Sequence, residues 1–131
     1  MAWNSSDIPI QKGRIAIVTG ANSGIGFHTA LSLAEKGAHV VLACRNREKA
    51  NQAKATIEEQ SPESQCTVME LDLSSLSSVR TFSEQALIEL PRIDLLINNA
   101  GVMIPPHTIT EDGFELQFVT NHLGHFALTG L

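Results

Sequence analysis

Thr19-Gly20-Ala21-Asn22-Ser23-Gly24-Ile25-Gly26 follows directly on an apolar run, Ile15 to Val18, and opens an amphipathic segment. A strand that ends in glycines and restarts as a helix leaves unpaired backbone N–H groups pointing into one crevice, at the positive end of the helix dipole. Such a crevice suits a phosphate. Gly20 permits the sharp turn, Gly24 keeps a Cβ out of the path of a pyrophosphate, and Gly26 lets the helix sit close to the strand. The spacing, Gly-x-x-x-Gly-x-Gly, describes a longer loop than the Gly-x-Gly-x-x-Gly fingerprint. With a strand before it and a helix after it, the stretch reads as a dinucleotide-binding loop.

A second place where residue type carries chemistry is the end of the next apolar run, at Cys44-Arg45. A site of this architecture that selects NAD puts Asp or Glu there, whose carboxylate binds the ribose hydroxyls and repels a 2′-phosphate. Arg45 instead offers a permanently charged planar fork for a phosphate, and Arg47 can add to the local positive potential. The expected cofactor is therefore NADP(H). His122 and His125 stand three apart in an apolar segment with no carboxylate beside them, which favours a packed or solvated role over catalysis or metal binding. No metal site is expected. Cys44 and Cys66 fall at the end of one strand and the start of the next, too far apart in a parallel sheet for a disulfide, and read as small core residues.

The elements that must position these residues alternate along the chain. Residues 1–13 lack periodicity and read as a lead-in, and residues 14–131 read as one dinucleotide-binding domain, incomplete at its C-terminal end. Arg14 to Thr19 is the first strand, and Gly26, Ala30, Leu33, Ala34 and Gly37 form a stripe of mostly small residues on the helix after it. His39 to Cys44 is nearly all apolar, as a strand covered on both faces should be. Asn46 can cap a helix with Ala50, Ala53 and Ile57 facing inward, ended by Pro62. Thr67 to Leu71 is a third strand, and Ser74 or Ser75 caps a helix striped by Val79, Phe82, Ala86 and Leu90. Ile93 to Ile97 is a fourth strand. From about Thr110 a last helix, containing Phe114, Leu116, Phe118, Val119, Leu123, Phe126 and Leu128, is apolar on nearly every side and so must be buried. The pattern implies an α/β class fold: a three-layer, doubly wound parallel sheet in the order 3-2-1-4, truncated after its fourth strand and following helix.

Nine basic and fourteen acidic side chains give a net charge of −5, which argues against a nucleic-acid or anionic-membrane partner. No apolar run reaches the ~20 residues of a membrane span, and the polar N-terminus lacks a signal-peptide core, so the expected location is cytoplasmic.

The glycine loop, Asn98-Asn99-Ala100-Gly101 and Asn121-His122-Leu123-Gly124-His125-Phe126 together resemble the short-chain dehydrogenase/reductase family, most of all its retinol-dehydrogenase-like branch. The resemblance runs from about Gly13 to the C-terminus. It implies that Gly20, Asn22, Ser23, Gly24, Ile25 and Gly26 hold the pyrophosphate and that Asp72-Leu73 borders the adenine. It further implies that Asn99, Ala100 and Gly101 line the nicotinamide-side ribose, with the asparagine pair tying strands together. Asn121 matches the asparagine of the family's catalytic tetrad, which holds a water in the proton relay. The family's remaining catalytic residues are a serine, a tyrosine and a lysine on later elements, and this sequence has no tyrosine. The implied function is hydride transfer between NADP(H) and an alcohol or carbonyl substrate, carried here as an N-terminal part that is inactive alone. The alternative is a non-catalytic dinucleotide-binding or interaction module. In the family the matching C-terminal helix packs against a neighbouring subunit, so a homo-oligomer is expected.

Overall fold

The structure is a computed structural model that describes residues 2–131; of the lead-in, Met1 lies outside the described residues. Four parallel strands form one sheet in the order β3-β2-β1-β4: β1 (Ile15–Thr19), β2 (His39–Cys44), β3 (Gln65–Glu70) and β4 (Leu95–Ile97). This is the order expected from the sequence. The crossovers are α1 (Gly24–Glu35), α2 (Arg47–Gln60) and α3 (Leu76–Glu89).

The stripes decide which face each helix covers. Ala30, Leu33 and Ala34 of α1, with Ala50, Ala53 and Ile57 of α2, pack on Ala16, Val18, Val40 and Leu42 on one side of the sheet. Val79, Phe82 and Ala86 of α3, with Leu128 near the C-terminus, pack on Ile17, Val41 and Met69 on the other. Alternate residues of one strand thus feed opposite layers, which is why β1 and β2 must be apolar throughout. Asn46 Oδ1 accepts the Lys49 N–H at 3.0 Å and caps α2, while Ser75 Oγ accepts the Ser78 N–H at 3.3 Å and caps α3. Both cysteines are free and buried; Cys66 lies beside Val40 and Cys44 beside Glu70, so the two stand at different levels of the sheet.

Two expectations need correction. The lead-in contains one 3-10 turn, Ser5–Asp7, because Asn4 and Asp7 cap it reciprocally. The last helix starts at Leu116 rather than near Thr110. Glu115 is its cap, accepting N–H bonds from Phe118 and Gln117 at 2.7 and 3.1 Å, and those bonds hold its carboxyl below the usual range. Residues 110–113 instead form a turn closed by the Ile109–Glu115 bridge. The helix runs as α4 (Leu116–Phe118), a π-helical turn (Val119–Leu123) and α5 (Gly124–Gly130). It is covered along one side only. Val119, His125 and Leu128 are buried, whereas Phe118 and Phe126 are 53% and 74% exposed, so an apolar composition on all sides did not translate into burial on all sides.

Candidate cofactor site

The carboxyl ends of the four strands converge on a crevice of about 440 Å³. Its floor is the turn from β1 into α1. Gly20 has φ +64° and a Cβ there would come within 2.8 Å of the Ala100 Cα; a Cβ on Gly26 would collide with the Gly20 carbonyl and the Asn99 amide. Those two glycines set how closely α1 and the loop after β4 approach β1. Gly24 has φ +57° and open space where its Cβ would stand. Its glycine is required by backbone conformation, and the space beside it is free. Ser23 precedes α1 without a side-chain cap bond, so the first-turn N–H groups have no capping acceptor and remain available to an anion.

Of the residues singled out in the sequence, Gly20, Asn22, Ser23, Ile25, Gly26, Arg45, Asp72, Leu73, Asn99, Ala100 and Gly101 line this crevice. Gly24 and Asn121 do not. Asn99 is a brace: its Nδ2 donates to the Thr19 and Gly20 carbonyls at 3.1 and 3.4 Å. Asp72 has its carboxylate committed locally, accepting from the Ser74 hydroxyl at 2.6 Å and the Ser74 N–H at 2.9 Å. That fixes the turn from β3 to α3 and leaves Leu73 beside the crevice. Asn121 clamps the loop after β4 from behind, since its Oδ1 accepts the Val102 N–H and its Nδ2 donates to the Val102 carbonyl, each at 2.8 Å.

The electrostatics of the rim differ in one respect from the sequence expectation. Arg45 is exposed at the end of β2 and lines the crevice, but Arg47 turns outward to Glu70 at 3.9 Å. The second cation at the rim is Lys49. It stands in the first turn of α2, two residues beyond Arg47. The Cys44 thiol, buried beneath the rim, is pushed up by burial, with the backbone N–H groups of Ala21 and Asn22 acting against that rise.

One further lining residue, Thr120, was missed, as was Gly124, which supports the crevice from behind Leu73. Thr120 lines the crevice with a hydroxyl that has no hydrogen-bond partner. Gly124 lies against Leu73 so closely that a Cβ would meet the Leu73 carbonyl. A glycine within an apolar helix is a visible hint of close backbone contact. His125, read as packed or solvated, is packed: its Nε2 lies 2.9 Å from the Thr19 hydroxyl. His122 is solvent-exposed beside the Phe118 ring.

These features fit a dinucleotide. Uncapped amides face the crevice at its centre, cations stand at the end of β2, and an unpartnered hydroxyl stands near the loop after β4.

The family model described as short chain dehydrogenase matches residues 14–131. Human retinol dehydrogenase 13 is 52% identical over 119 residues, an alignment covering 91% of this chain and 36% of that protein. An uncharacterized protein from Mycobacterium paratuberculosis superposes with a TM-score of 0.87 at 46% identity, over 98% of this chain and 45% of that one. A short chain dehydrogenase from Shigella flexneri, solved in complex with NADP, superposes with a TM-score of 0.77 at 28% identity, over 92% and 52%. The chain thus spans little more than a third of the length of the human relative. With its glycine loop, strand order and Asn-Asn-Ala-Gly turn in register with such a match, the chain belongs to the short-chain dehydrogenase/reductase family, on its retinol-dehydrogenase-like side.

Proposed function

We propose that this chain binds NADP(H) and supplies the cofactor-binding part of an oxidoreductase acting on a small alcohol or carbonyl compound. The observation that carries the reading is the rim at the end of β2. Arg45 and Lys49 line the crevice there; among the described residues the one carboxylate in the lining, Asp72, is held by Ser74, and Glu70 is turned toward Arg47. The Shigella neighbour that holds NADP supports the same choice. When bound, the dinucleotide supplies or accepts the hydride. The chain's own residues bind and orient it: the amides at the start of α1 take the pyrophosphate, Arg45 and Lys49 the 2′-phosphate, and Leu73 flanks the adenine. Asn99, Ala100 and Gly101 line the ribose on the nicotinamide side. Asn121 holds the loop that follows through Val102.

Proton delivery to a carbonyl needs an acid with a pKa drawn toward neutrality. The sequence contains no tyrosine, and the buried histidine, His125, is occupied by Thr19. We therefore expect binding without turnover from these 131 residues.

Titration calorimetry of the wild-type chain and Arg45→Asp with NADPH and NADH tests the assignment. The variant should weaken NADPH binding by about 2 kcal/mol, the cost of losing a charge-assisted pair and adding a repulsion, while NADH changes by less than about 0.5 kcal/mol. Equal affinity of the wild type for both cofactors, or an unchanged preference in the variant, would overturn it.

A further inference from the structure

The polar atoms between β1 and the last helix satisfy one another in only one protonation pattern. Thr19 Oγ1 accepts the N–H groups of Asn99 and Ala100, each at 2.9 Å. A hydroxyl has two lone pairs and one proton. Both lone pairs are taken, so Thr19 has only its proton to offer to His125 Nε2 at 2.9 Å, and the competing acceptor, the Ile97 carbonyl, is farther away at 3.4 Å. Nε2 is then an acceptor and the ring hydrogen sits on Nδ1, which donates to the Asn121 carbonyl at 3.3 Å. An imidazolium would direct a second N–H at an oxygen with no lone pair left.

We propose that His125 is a positioning residue: its neutral ring, with the hydrogen on Nδ1, couples Thr19 and the Asn99–Ala100 turn to the helix carrying Asn121, so that the crevice keeps its binding geometry only while the ring is uncharged. This rests on the reading of the crevice as a dinucleotide site. The groups facing the ring are the Thr19 hydroxyl from β1, the Asn99 and Ala100 amides beyond β4, and the Asn121 carbonyl from its own helix. On the α3 side the layer is built from Val79, Phe82 and Ala86, and the Ser83 hydroxyl returns to the Val79 carbonyl. Among the described residues no charged side chain contributes to its shift. Burial lowers the ring's pKa, with the Asn121 carbonyl pulling the other way.

The sign follows. An unfolded histidine titrates near ~6.5, and the folded ring lower, so on acidification the unfolded chain takes up the proton first. The contribution is complete above the unfolded value and is lost as pH falls from there toward the folded pKa.

The test combines imidazole 15N spectra of the 131-residue chain with NADPH titrations of the wild type, His125→Gln and His125→Leu. Glutamine can accept the Thr19 proton through its amide oxygen without titrating; leucine fills space and leaves the hydroxyl without its acceptor. The expected spectrum near neutral pH is that of the Nδ1–H tautomer. Leucine should weaken NADPH about tenfold at about pH 8, and glutamine by less than about threefold. Going to about pH 5.5, the wild type should lose about fivefold or more relative to glutamine, a ratio in which titration of the ligand's 2′-phosphate cancels. An Nε2–H tautomer or a charged ring near neutrality, leucine binding like wild type, or a pH-independent ratio would each overturn the proposal. If even the wild type fails to bind NADPH, the dinucleotide reading falls. The coupling is then decided by the tautomer and by the Asn99 and Ala100 amide signals, which must move in leucine and stay in glutamine.

Discussion

β1 and β4 are neighbouring parallel strands written in similar apolar residues, yet all five residues of β1 are buried while Leu95, Leu96 and Ile97 are each only partly covered. The difference lies in neighbours, not in hydrophobicity. β1 has β2 on one edge and β4 on the other, and helices over both faces; β4 pairs with β1 alone. The site divides in the same way. Its β1 side is shaped by close backbone approach, Gly20 against Ala100 and Gly26 against the Gly20 carbonyl, with the Asn99 side-chain amide filling the remaining space at Gly26. Its far side, from Gly101 to the end of the last helix, has one close backbone approach, Gly124 on the Leu73 carbonyl, and is otherwise held by side-chain clamps: Asn121 on Val102, Gln117 Oε1 accepting the Ile104 N–H at 3.0 Å, and His125 on Thr19. Ile104 is the one non-glycine residue with positive φ among the described residues, at +49°. A branched side chain in that conformation is strained, and it occurs on the clamped side.

If this division is right, the largest effect should come from the backbone-packed side. Gly26→Ala places a methyl group against the Gly20 carbonyl and the Asn99 side-chain amide; the carbonyl cannot yield without opening the β1–α1 turn, and the amide cannot without giving up its bonds to Thr19 and Gly20. We expect a loss of about 3 kcal/mol in urea unfolding, at the upper end for overpacking. A loss under about 1 kcal/mol would mean that this side is as yielding as the other. The smallest effect on stability belongs to the open side. Phe126→Ser, at a residue 74% exposed, should leave unfolding within about 0.5 kcal/mol of wild type. It should nonetheless reduce self-association in sedimentation experiments, because Phe118 and Phe126 are exposed apolar side chains of the last helix and β4 is paired on one edge only. A wild-type chain that sediments as a monomer at high concentration would remove that role from the helix.

How much of this could be read beforehand follows the same line. The first two strands, the strand order and the cap at Asn46 were legible because burial on both faces forces continuous apolar runs and because cap chemistry is local. The third strand was placed within two residues, and the cap of α3 was narrowed to Ser74 or Ser75, of which Ser75 serves. The helix stripes were legible for the same reason, each serving a single layer. The start of the last helix was not, since its cap, Glu115, competes with a turn whose hydrogen bonds involve Thr110 and Phe114. Nor could its apolar residues say which of them would find a partner. In the site, the glycine loop and Arg45 were legible from type and spacing. Lys49 replacing Arg47 at the rim was not, because the direction of an exposed side chain depends on Glu70, which arrives from another strand. The Thr19–His125 contact joins residues 106 positions apart, and nothing local in the sequence announces it.

The central claim is that a dinucleotide lies in the crevice across the ends of all four strands. Amide shift mapping of the 131-residue chain with NADPH tests it most directly. The account predicts saturable shifts in three groups: Gly20 to Gly26, Arg45 with Lys49, and Leu73 with Asn99 to Gly101, leaving the opposite end of the sheet around His39 and Gln65 unmoved. Shifts confined to one group, or spread over the exposed face of the last helix, would contradict it.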